Sequence, residues 1–131
     1  MSDALSKILL VGAGGFVGSN LRYWVGVWLQ TLFPSEVPWS TMIINVSGSM
    51  AAGLFMGLAT QDKWPEPWKL LIAIGLLGGF TTFSAFSVEA ARLLEQRAFG
   101  AAAMYIGGSL FLCLIGAIVG LVLAGALARP A

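Results

Sequence analysis

Four apolar runs, each long enough to cross a bilayer, occupy most of this 131-residue chain. They cover about residues 8–33, 39–60, 68–94 and 99–127. Between them lie Pro34-Ser35-Glu36-Val37-Pro38, then Gln61 to Pro67, then Glu95-Gln96-Arg97. Hydrocarbon offers no water to backbone polar groups, so only helices and closed barrels can span it. The runs exceed the ~10 residues of a barrel strand and lack its alternation, which selects helices of ~20 residues. The expected fold is all-α, a single four-helix transmembrane domain over residues 1–131. Charged residues make up 10% of the chain, against about 25% in soluble domains. Trp39, Trp64 and Trp68 fall near span ends, where amphipathic rings settle.

Composition also removes whole classes of function. A net charge of +1 is far too small to hold nucleic acid. There is no histidine, and Cys113 is the one cysteine, so zinc sites and nucleophile–base pairs lack their usual side chains. The chain does not read as an enzyme. Gly12-Ala13-Gly14-Gly15-Phe16-Val17-Gly18 imitates a dinucleotide loop, but its spacing is wrong and no strand–helix alternation follows. The apolar run after Lys7 outlasts the roughly 7–15 residues of a signal peptide and is read as a retained first helix.

Four crossings put both termini and the second loop on one side, with Lys7, Lys63, Lys69 and Arg129. The other side has Arg92 and Arg97, and Arg22 if it snorkels. This bias is weak. It fits termini held in the cytoplasm, and equally a chain that inserts both ways up and pairs antiparallel. Glycines recur at four-residue spacing as Gly14/Gly18, Gly53/Gly57, Gly75/Gly79 and Gly116/Gly120, faces on which helix backbones approach closely.

The third run contains Gly78 to Ser87, Gly-Gly-Phe-Thr-Thr-Phe-Ser-Ala-Phe-Ser. Paired glycines and β-branched threonines disfavour a regular helix, so a break near its middle is expected. Loosened backbone at membrane depth must line a polar cavity or be buried in protein. Phe83 and Phe86 are three apart and share a face, set among Thr81, Thr82, Ser84 and Ser87. Ring edges carry partial positive charge and, with neutral donors, can surround an anion without a counter-charge. Asn45 in the second run is costly in lipid unless paired. It shares a face with Ser49 and serves either as an interhelical hydrogen bond or as a pathway donor. Tyr105, Ser109 and Cys113 recur every four residues on the fourth run, as a stripe of donors. Arg22 snorkels or ties helix ends together, and Glu89 can pair with Arg92 at i,i+3.

These residues resemble the small bacterial fluoride-channel family, Fluc or CrcB. The likeness lies in Gly14-Gly15-Phe16-Val17-Gly18 with Arg22-Tyr23, in Asn45-Val46-Ser47-Gly48, and above all in Gly78 to Ser87. It implies an antiparallel, dual-topology homodimer in the bacterial inner membrane, passing fluoride passively down its gradient by two pathways. It implies that Phe83 and Phe86 form a phenylalanine box with Asn45 beside it. Tyr105 and Ser109 would form a polar track, with Thr41, Ser84 and Glu89 at further pathway positions. Cys113 stands where that track would have a hydroxyl. Backbone carbonyls of Gly78 and Thr81 would hold a structural Na+ at the dimer centre, and Arg22 would be structural. The rival readings are a proton-coupled multidrug exporter, which needs a membrane-embedded glutamate absent from the first run, and a noncatalytic membrane subunit. The latter explains the glycines but not the hydroxyl-rich third run.

Overall fold

The computed structural model describes residues 2–59 and 64–128. Helix α1 is Ser2–Leu32 and α2 is Trp39–Ala59. The third crossing is composite: α3 (Glu66–Trp68), a π-helical segment over Lys69–Leu77, α4 (Gly78–Phe80) and α5 (Phe83–Glu95). Helix α6, Phe99–Ala128, completes four crossings that are long and apolar enough for a bilayer. Lys63 and Arg129, half of the cations on the terminal side, lie outside the described residues, as does Thr60 at the end of the second run.

Helix α2 is the inner helix. Of its most apolar window 39% is buried, against 11% for α1 and 17% for the third crossing and α6. Hydrophobicity alone cannot choose which face turns inward when helices are apolar all round. Small residues make the choice. A Cβ on Gly18 would fall on the Leu76 carbonyl oxygen, and one on Gly14 on the Leu71 carbonyl. Gly75 answers Gly14, with the Gly14 Cα 2.8 Å from where its own Cβ would stand. On the other seam a Cβ at Gly120 would strike the Met50 carbonyl, one at Gly53 the Ala117 carbonyl, and one at Gly57 would lie 2.5 Å from the Ala124 Cβ. So α1 lies along the third crossing and α2 along α6, each backbone against backbone. Packing and dispersion, not water exclusion, drive such seams in lipid.

A satellite core of Val37, Met42, Phe86, Ala90, Leu93, Ala102 and Tyr105 fills the end farther from the termini. There α5 closes with Ala98 N donating to Leu93 O at 2.9 Å while Arg97 takes φ 58°. This is a Schellman-type ending at a residue other than glycine. At the opposite end Lys7 bridges to Glu66 at 3.1 Å, pinning the start of α1 to the second loop. The side chains left outside include Ile8, Phe16, Trp24 and Trp28 on α1, and Phe111, Leu114 and Val122 on α6. Such faces suit lipid or a partner helix.

The break falls within Gly78 to Ser87 as expected, and at its threonines, not its glycines. Gly78 has helical dihedrals (φ −64°, ψ −36°), whereas Thr81 (φ −85°, ψ 152°) and Thr82 (φ −149°, ψ 114°) are extended. Gly79 is used for proximity, with the Gly15 carbonyl 2.8 Å from the site of a Cβ. Irregularity also starts nine residues before Gly78, at Lys69, as a π-helix. Long π segments are rare and collect at functional sites.

Candidate functional site

At the break, Asn45 takes the place of a missing helical turn. Thr82 N donates to Asn45 Oδ1 at 2.8 Å, and Asn45 Nδ2 donates to Thr82 O at 3.0 Å. The side-chain amide thus satisfies both main-chain groups of the residue that helices α4 and α5 leave stranded. Thr82 then caps α5, its Oγ1 accepting from Ala85 N at 3.1 Å. Thr81 folds back, Oγ1 donating to the Leu77 carbonyl at 2.9 Å and its amide to the same oxygen at 3.0 Å. Two half-helix ends result. The carbonyls of α4 end on one side, and the positive end of the α5 dipole starts on the other.

An open cleft of about 230 Å³ lies against this junction. Asn45, Ser49, Thr82, Phe83, Phe86 and Ser109 line it, together with Thr81, Leu110 and Cys113. Phe83 and Phe86 sit 5.4 Å apart between ring centroids and tilted by 42°. Phe86 is 8% exposed and Phe83 72% exposed, so one ring is fixed in the core and the other projects. Ser109 is 3% exposed and its hydroxyl has no hydrogen-bond partner among the described residues. A buried hydroxyl without a partner is rare and marks a place where a guest, water or ion, completes the bonding. No lysine, arginine, aspartate or glutamate lines the cleft.

Behind the rings is a second polar cluster. Thr41 Oγ1 donates to Glu89 Oε1 at 2.8 Å, and the Tyr105 hydroxyl donates to Glu89 Oε2 at 2.6 Å. Tyr105 is fully buried and its ring stacks 5.4 Å from Phe86, linking the cluster to the cleft. Glu89 therefore does not pair with Arg92 as i,i+3 spacing allowed. The ion pairs among the described residues are those of Lys7 with Asp3 and Glu66. Helical proximity lost to two hydroxyl donors on other helices.

Of the residues read from sequence, Asn45, Phe83, Phe86, Ser109 and Thr81 meet at the first cleft, and Cys113 joins them. Thr41, Glu89 and Tyr105 form the adjoining cluster. Ser84 is outside both; it is exposed, its hydroxyl 3.1 Å from that of Thr82. Arg22 ties nothing together. It lines a wider cleft of about 600 Å³ with Ser19, Tyr23, Gln30, Ser40 and Thr41, without a side-chain hydrogen bond or ion pair among the described residues. Thr82 borders both clefts. That wider cleft escaped the sequence reading, although positions 19, 22, 26 and 30 recur at helical spacing on α1. Neither the Gly78 nor the Thr81 carbonyl receives a backbone amide among the described residues: Thr82 N, the helical partner of the first, is turned to Asn45, and Ala85 N, that of the second, donates to Thr82 Oγ1.

Four crossing helices around a neutral, donor-lined cleft define a small multi-pass membrane protein built to admit a polar guest. The family profile described as "CrcB-like protein, Camphor Resistance (CrcB)" matches residues 9–121, and the chain belongs to that family. It is 43% identical over 123 residues to a Thermus thermophilus protein named fluoride-specific ion channel FluC, covering 94% of this chain and 97% of that one. A Rhodospirillum centenum protein of the same name is 43% identical over 120 residues, covering 91% and 95%. One from Oceanobacillus iheyensis is 39% identical over 109 residues, covering 82% and 83%. With such relatives and four apolar crossings, it is a protein of the bacterial plasma membrane.

Proposed function

We propose that this protein is a fluoride channel: a passive, fluoride-selective passage that lets the ion leave the cell down its electrochemical gradient. The observation that carries this is the unpartnered Ser109 hydroxyl, buried in a cleft that offers a phenyl pair and an amide but no formal charge. Fluoride clings to its water. Idealised transfer of even a carboxylate-sized ion into low dielectric costs on the order of 20 kcal/mol. A passage must return that energy through several donors without binding so deeply that the ion stops. Hydroxyls, the second N–H of the Asn45 amide and ring edges meet both demands. The positive end of α5 adds a favourable field at the break.

The cleft is open and one chain does not enclose it, which supports a homodimer. Near-even flanking charge and a family of fluoride-specific relatives support an antiparallel, dual-topology pair with two pathways. Each pathway would use Phe83 and Phe86, Asn45 and Ser109, with the Thr41–Glu89–Tyr105 cluster as its polar wall. Arg22, on the wide cleft, would gather anions from water. The carbonyls of Gly78 and Thr81, left without amides where Thr82 N turns to Asn45 and Ala85 N to Thr82 Oγ1, fit a hard monovalent cation. From both copies they would hold Na+, which supplies positive potential at the centre and cross-links the subunits.

A proton-coupled exporter would need a carboxylate deep in the first crossing. The acidic residue of α1 is Asp3, in its first turn. Purified protein in liposomes, followed with a fluoride electrode, tests the reading. Phe83→Ile is expected to abolish release while the dimer persists by size-exclusion chromatography. Full release in that variant would overturn the role given to the rings.

A further inference from the structure

Cys113 stands one helical turn beyond Ser109 on α6, and both line the same open cleft. Its thiol is half-buried and free. A cysteine alone in an apolar helix means little, because most such residues behave as small hydrophobes. Here a second observation bears on it. The Ser109 side chain, on the wall of this cavity, is 3% exposed as a residue and its hydroxyl has no partner among the described residues. A small polar guest entering the cavity would complete its bonding, which points to a cavity that takes up water. A solute able to follow that water meets the Cys113 sulfur beside it.

We propose that Cys113 is a covalent modification site inside the passage, open to small thiol-directed electrophiles of the thiosulfonate and disulfide class. The inference rests on the function proposed above for its consequence, but not for its chemistry. With methyl methanethiosulfonate the Cys113 thiolate attacks the sulfenyl sulfur. A new S–S bond forms, the S–SO2 bond breaks with its electron pair leaving on methanesulfinate, and the thiol proton goes to water. The added methylthio group takes about the space of two waters, roughly 60 Å³. That removes about a quarter of the 230 Å³ cleft and puts an apolar group near the Ser109 hydroxyl. A thiol reductant reverses the step.

The test uses the full chain reconstituted in liposomes, treated with methyl methanethiosulfonate and read by both intact mass and fluoride efflux. One methylthio group per chain is expected, with efflux reduced by about tenfold or more, a barrier increase of ~1.4 kcal/mol, and restored by dithiothreitol. Cys113→Ser, or Cys113→Ala should serine fold poorly, is expected to take no label and to show the same efflux with and without reagent. Labelling that occurs only after denaturation would overturn the claim that the site is reachable. Full native labelling with unchanged efflux would overturn its place in the passage. Protein that passes no fluoride before any reagent is added overturns the proposed function, while native labelling by mass still decides whether the site exists.

Discussion

Removing the Asn45 amide should unsettle the break itself, not only the passage beside it. In Asn45→Ala both bonds to Thr82 go, the 2.8 Å acceptor and the 3.0 Å donor. Leaving a buried main-chain group unsatisfied costs about 1–3 kcal/mol, which for two groups gives about 2–6 kcal/mol. Interhelical bonds measured inside membranes are weaker, about 0.6 and at most ~1.7 kcal/mol each, because the unfolded chain in lipid also finds partners. Thr82 sits in extended backbone between two helices, where no neighbouring carbonyl or amide can slide in. Water from the open cleft can reach part of it. A loss of about 2–4 kcal/mol is therefore expected, between the two limits. Equilibrium unfolding in mixed detergent–SDS micelles measures it, alongside fluoride release from liposomes. Asn45→Asp separates the roles: it keeps the acceptor, loses the donor and places a carboxylate against the Thr82 carbonyl and the passing anion. That variant should stay dimeric, be less stable and conduct nothing. An Asn45→Ala protein within about 0.5 kcal/mol of the original, conducting normally, would refute the bridging argument.

Other changes separate packing from passage. Gly18→Ala and Gly120→Ala each push a methyl onto a facing carbonyl, of Leu76 and of Met50, and should cost about 1–3 kcal/mol by the same unfolding assay. Gly107→Ala meets nothing within 4 Å and should be neutral or stabilise by up to ~1 kcal/mol. Tyr105→Phe removes the 2.6 Å bond to Glu89; a charge-assisted bond is worth about 1.5–3 kcal/mol, so stability and fluoride release should both fall, with the Phe86 ring left in place. Replacing all sodium by a bulky organic cation should weaken the dimer, seen as monomer by size-exclusion chromatography. An unchanged dimer would remove sodium from the proposed centre.

Much of the architecture could be read without coordinates, because lipid leaves so few options. Length and hydropathy defined four helices, and the glycine spacing marked the faces that meet in the two seams, though not which helix pairs with which. The membership of the cleft was legible for a similar reason. Asn45 and Ser109 are polar groups that a bilayer would expel unless something met them. What escaped was local and directional. Glycine and threonine both weaken a helix, and only tertiary contact decided that Gly78 and Gly79 would stay helical while Thr81 and Thr82 opened. Nothing in Lys69–Leu77, a strongly apolar run, signals a π-helix. The contest for Glu89 could not be settled by i,i+3 spacing, because its winning partners, Thr41 and Tyr105, come from other helices. Arg22 was found, but the cleft it faces depends on how α1 leans on α2.

Ion flux through the unmodified protein is the direct test of anion passage by neutral donors. Liposomes loaded with potassium fluoride and given a potassium ionophore should empty into a fluoride-free bath as soon as the ionophore is added, reported by a fluoride electrode. Matched vesicles without the protein should stay closed. Protein-bearing vesicles that hold their fluoride as tightly as empty ones would contradict the account at its centre.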